Sequence, residues 1–139
     1  MTTREYFKQA FTIDNLLKAT RMQLVELREK RLSLGGFAYG DKVQNVLQIE
    51  KFNAMSDLYM DLEQKYSEDE KRLIELKYEI RTRIDNLPSP QHRLIMTERY
   101  INLKHWEDIA ADNGYSWKHV HKIHRKALIT LTARKEDTL

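Results

Sequence analysis

A chain of 139 residues, 32% charged and 41% hydrophobic with only four glycines and two prolines, fits one or two small helical domains better than sheets, linkers or a multidomain enzyme. It has no cysteine, which excludes a disulfide framework, a thiolate metal site and a cysteine nucleophile. The formal charge of +3 is small but unevenly placed: residues 1–87 carry 15 Lys and Arg against 15 Asp and Glu, and residues 88–139 carry 9 against 6.

From Tyr6, positions 6, 10, 13, 17, 20, 24, 27, 31 and 34 advance by alternating fours and threes. They read as the stripe of a long helix interrupted by Thr20 and Arg31. Thr2 and Glu5 have capping-box spacing at its start, and Gly35-Gly36 is expected to end it. A second stripe runs through 55, 59, 62, 66, 69, 73, 76, 80, 83 and 87 and stops at Leu87-Pro88-Ser89-Pro90, because proline disfavours helix in the residue before it. Each helix should be ~50 Å or longer at 1.5 Å per residue. Asp41 or Gln44 could cap an early start of the second helix, although the apolar phase changes near Phe52. The pattern predicts an all-α protein: an antiparallel, coiled-coil-like hairpin over 1–87 that oligomerises, with a homodimer expected to cover its apolar flanks, then a different domain over 88–139.

Three short helices are expected after the prolines. Residues 91–101 offer Leu94, Ile95, Met96 and Tyr100 to a core, residues 105–112 offer Trp106, Ile109 and Ala110, and residues 116–131 offer Val120, Ile123, Ala127, Leu128 and Leu131. Between the last two, Gly114 can take the left-handed conformation of a sharp turn, and Ser116 can cap the helix that follows. Small, turn, apolar, apolar at Ala110, Gly114, Val120 and Ile123 is the spacing of a helix-turn-helix. Residues 117–126 contain four Lys or Arg and no acid. The helix period turns Trp117, Lys118, His121, Lys122 and Arg125 outward; Trp117, Lys118, His121 and Lys122 are the candidates for base edges, and His119, Arg125 and Lys126 are better placed for phosphates.

The stretch from Leu87-Pro-Ser-Pro-Gln-His-Arg through Trp106-Glu-Asp-Ile-Ala-Ala-Asp-Asn-Gly-Tyr-Ser-Trp to Lys126-Ala127-Leu128 and Leu131 resembles region 4 of the sigma-70 family of transcription initiation factors. The resemblance covers roughly residues 87–131. It implies a last helix lying in the major groove of duplex DNA and a contact with bacterial RNA polymerase. With the preceding hairpin, the whole chain is similar to small regulators of bacteriophages and Gram-positive mobile elements of the ArpU and RinA type, which implies a DNA-binding transcription regulator in the cytoplasm of a bacterial host. Two departures stand out: Asn113 replaces the usual apolar residue before the turn glycine, and Trp117-Lys118-His119-Val120-His121-Lys122 replaces the family's Arg-Glu-Arg-x-Arg-Gln. Docking is therefore expected to carry over, but not the preferred sequence. Sigma regions 2 and 3 are missing, so promoter melting is not expected.

Other readings are weaker. His119, His121 and His124 cannot converge on a metal, since residues two apart on a helix point to different sides; they read instead as donors to phosphates or bases, and no metal or cofactor is expected. Tyr6, Tyr59 and Tyr66 fall on the stripes and read as packing residues. Glu68-Asp69-Glu70 reads as a solvated flank. No phosphate-binding glycine loop, Ser or Cys nucleophile motif or HExxH is present, so no enzyme is expected. The first residues lack the apolar core of a signal peptide, and no apolar run approaches the ~20 residues of a membrane span. The rival readings are a small terminase subunit for DNA packaging, and an interaction module that grips polymerase or another host protein without reading DNA.

Overall fold

A computed structural model describes residues 1–35 and 42–137, so the expectations for Gly36 and Asp41 lie outside the described residues. The described chain is all-α: α1 (Thr3–Gly35), α2 (Lys42–Asp85), α3 (Pro90–Tyr100), α4 (Trp106–Asn113) and α5 (Trp117–Asp137). Among the described residues no helix is long and apolar enough to cross a membrane.

The capping box opens α1. The Thr2 hydroxyl accepts from the Glu5 N–H at 3.1 Å while the Glu5 carboxylate accepts from the Thr2 N–H at 2.9 Å, satisfying two donors that the first turn leaves without helical partners. Along the first stripe Ala10, Ile13, Leu17 and Thr20 are buried, and the rest are partly buried. On α2, Leu73, Leu76 and Ile80 are buried where the second stripe places them, but the phase then slips: Arg83 is exposed and Ile84 is buried in its stead. A four-residue step from Ile80 keeps the apolar row on one face of a straight helix better than a step of three. Arg83 instead lays its guanidinium over the Tyr6 ring, 3.8 Å from the centroid. Tyr6 donates to Glu79 at 2.9 Å, and Arg31 stacks over Tyr59 at 4.6 Å, so rising numbers on α1 meet falling numbers on α2 and the two helices are antiparallel. Burial, with the Glu79 carboxylate beside it, pushes the Tyr6 hydroxyl up to about 12. At 33 and 44 residues the helices differ in length, because α2 already begins at Lys42; Gln44 lies inside it rather than at its cap.

The chain forms two compact units, one of Asp14–Arg72 and one that joins Met1–Ile13 to the chain from Leu73 onward. In the first, only Leu17 and Thr20 are buried among the described residues, and Met22, Val25, Leu32, Leu58 and Met60 are exposed. Glu68 and Glu70 are solvated as expected, while Asp69 is partly buried on its stripe.

In the second unit, Ser89 caps α3 and Pro90 occupies its first turn, where a missing N–H costs nothing. Ile95, Met96 and Tyr100 are buried, but Leu94 is 42% exposed. Three consecutive apolar residues span about 200° of a helix, so one of them must leave a single core face. The first turns of α1 pack here: Phe7 is fully buried, 5.2 Å from the Tyr100 ring, and the Thr3 and Thr132 hydroxyls are 2.8 Å apart. Full burial of a phenylalanine contributes roughly 2–3 kcal/mol. These first turns therefore help to hold α3 and α5.

Candidate nucleic-acid interface

Ile95, Ile109, Ala110, Val120 and Ile123 form one buried cluster that joins α3, α4 and α5, with Trp106 and Tyr115 packed against it. Gly114 ends α4 at φ 65° and ψ 28°, the left-handed region, and its N–H turns back to the carbonyls of Ala110 and Ala111. The Tyr115 N–H also donates to the Ala110 carbonyl, at 2.9 Å, which closes the turn. Ser116 caps α5 by accepting from the His119 N–H at 3.1 Å. The departure at Asn113 has a structural use: its amide donates to Glu98 at 3.2 Å and to the Ile109 carbonyl at 2.8 Å, tying the end of α4 to α3. Lys104 fastens the same elements, 3.0 Å from Asp112 and 3.7 Å from Glu98. The geometry is that of two helices joined by a tight glycine turn around a shared core.

On α5 the expected candidates fall into three rows. Lys118, Lys122 and Arg125 are exposed and lie at i, i+4 and i+7, in line along the helix face opposite Val120, Ala127 and Leu131. His119 and Lys126 are exposed on one flank, His119 with its ring edge-on to Tyr115. Trp117 and His121 occupy the other flank. Trp117 is 60% exposed, yet one side of its ring rests 3.9 Å from the His121 ring. His121 is not a freely projecting side chain: it is partly buried between Trp117 and Trp106, and burial followed by the nearby Arg99 and Arg125 pulls its pKa below the usual histidine value.

His124, which on sequence alone shares a phosphate or base role with its neighbours, is instead a core residue. It is buried, with Nε2 2.8 Å from the Tyr100 hydroxyl and Trp106 edge-on at 4.7 Å. Burial, then the charges of Arg4, His121 and Arg99, lowers its pKa to about 4. Among the described residues no group of three His, Asp or Glu side chains is arranged to hold a metal ion.

Sequence reasoning missed three cations beside the Trp117 flank: Arg4 and Lys8 from α1 and Arg99 from α3. No local signal marks Arg4 and Lys8, since their nearness to α5 arises only when α1 docks on Tyr100. Arg99 is held between the rings of Phe11 and Trp106, at 4.1 and 4.4 Å, and donates to the Lys104 carbonyl at 2.8 Å. No family model matches the chain, and comparison with curated proteins and with solved structures returns no match.

Proposed function

We propose that this protein binds duplex DNA with α5 in the major groove and regulates transcription, as a homodimer encoded by a phage or mobile element. The observation that carries this reading is the row of Lys118, Lys122 and Arg125 on a capped helix after a left-handed glycine turn, with no acid between 117 and 126. An unbroken positive row on an exposed helix face suits a groove lined by phosphates. The sequence likeness to sigma region 4 points the same way and makes RNA polymerase a second candidate partner. Pairing of two copies is favoured by the exposed Met22, Val25, Leu32, Leu58 and Met60 in a unit with little buried core. Sedimentation of the intact chain tests the pairing, and a ring of many subunits would favour a packaging role over a regulatory one.

The rows separate reading from positioning. Lys122 faces outward at mid-row, so Lys122→Ala should lose on the order of 1 kcal/mol on the preferred site and less on random DNA. Lys126 sits on the flank, so Lys126→Ala should weaken all duplexes about equally and lower the slope of log affinity against log salt by about 1. Sites selected from random DNA, then titrated as cognate and scrambled duplexes at several salt concentrations, supply the comparison. Wild-type protein that binds no duplex at low salt defeats the reading.

A further inference from the structure

Beside the first turns of α5 lies a cleft of ≈ 520 Å³ whose rim carries five cationic side chains, Arg4, Lys8, Arg99, Lys118 and Arg125, and no carboxylate. They come from α1, α3 and α5, so the clustering is a product of the tertiary fold and not of a basic run in the sequence. Like charges gathered without counter-charge repel one another, and an anion seated among them relieves that repulsion. The volume falls within the range of small-ligand sites, roughly 300–1,000 Å³.

Its remaining wall is aromatic. Both tryptophans of the chain, Trp106 and Trp117, line it with Tyr100 and the two histidines. Trp117 lies against His121 with the two rings tilted at 46° and leaves most of its indole open, which offers surface for a flat ring to stack on. Arg99 Nε and His121 Nε2 are buried there with no hydrogen-bond partner. Buried polar atoms of this kind are uncommon in folded proteins, and a small shift of the surrounding rings would bring them within reach of a ligand's polar edge.

We propose that this cleft binds a nucleotide, with its phosphates on Arg4, Lys8 and Arg125 and its base over Trp117. A free nucleotide and a nucleotide unit of a bound DNA strand present the same chemistry, and the two are separable by experiment. The strand form of the inference rests on the DNA-binding reading, and the free-nucleotide form does not.

The intact protein is titrated with ATP, tripolyphosphate and adenosine while tryptophan fluorescence and calorimetric heat are followed. In parallel it is titrated with a short duplex. Arg4→Ala/Lys8→Ala and Trp117→Ala change only exposed side chains, and circular dichroism confirms that each variant folds. A free-nucleotide site predicts that ATP binds more tightly than tripolyphosphate and adenosine more weakly than either, with the Arg4/Lys8 variant losing about tenfold, the effect of removing charge-assisted hydrogen bonds. A strand-nucleotide site predicts that ATP fails, while the duplex perturbs tryptophan fluorescence and loses about tenfold with either variant. ATP bound no better than tripolyphosphate, with duplex binding indifferent to both variants, overturns the proposal and leaves the regulator reading standing. ATP binding without duplex binding defeats the regulator reading alone.

Discussion

Acidification from pH 6.5 to 4 should remove about 3 kcal/mol of stability through His124 alone, the linkage expected when a buried ring whose ordinary pKa is 6.5 is held at about 4 in the folded state. The sign follows from which state takes the proton. Unfolded chain protonates His124 near 6.5, whereas folded chain keeps it neutral against Tyr100 until about pH 4. Its contribution is therefore complete above pH 6.5, declines as the pH falls between those values, and changes no further below 4. The groups that face it all oppose a second positive charge: Arg4 on α1, Arg99 on α3 and His121 on α5, while Trp106 closes the side toward α4. A loss of this size is a large share of the roughly 5–15 kcal/mol by which small domains are stable. Urea denaturation across this range checks it, with His124→Gln as control. Glutamine can still meet the Tyr100 hydroxyl but does not titrate, so the slope due to this residue should vanish while that of the carboxylates remains. An unchanged slope in the variant would show that His124 is not the group responsible.

Gly114→Val should cost about 1–3 kcal/mol, the typical price of forcing a β-branched residue into the left-handed region. A Cβ added at Gly114 meets nothing within 4 Å, so the penalty is conformational and owes nothing to a clash. That separation gives a graded test: Gly114→Asn should be mildest, because asparagine tolerates positive φ, Gly114→Ala intermediate and Gly114→Val worst. At about 4–8 °C per kcal/mol for a domain of this size, thermal melting resolves the three. Because the turn sets the angle between α4 and α5, the duplex affinity proposed above should fall in the same order. Equal melting temperatures would mean that the turn does not depend on the φ of 65° at Gly114.

Local chemistry was the legible part of this protein. The Thr2–Glu5 box, the Gly114 turn and the Ser116 cap each depend on residues within four positions of one another, and each forms as its spacing implies. The two stripes were readable for the same reason, since one helix burying one face against one neighbour leaves a simple period. Where an element touches a second neighbour the period fails. Phe7 lies off the first stripe because it faces α3 rather than α2, and its burial depends on Tyr100. His124 reads as an exposed polar residue until a hydroxyl 24 positions earlier is brought to its ring. The exposed Lys118, Lys122 and Arg125 could be placed from the helix period alone, but Arg4 and Lys8 could not.

The docking of α1 onto α3 and α5 also sets an order of events during synthesis. Helical proteins fold quickly because most of their contacts are local, yet the seat of Phe7 is made by Tyr100, and that of Thr3 by Thr132. A ribosome adding about 5–20 residues per second reaches Tyr100 on the order of ten seconds after Phe7 has been joined. Throughout that interval an aromatic side chain destined for full burial lacks its Tyr100 neighbour, although α2, complete at Asp85, can already shelter the stripe of α1. The bundle of α3, α4 and α5 gains its contacts with α1 only after Tyr100 and Thr132 have been made, which makes this joint the step most exposed to chaperones and to premature self-association.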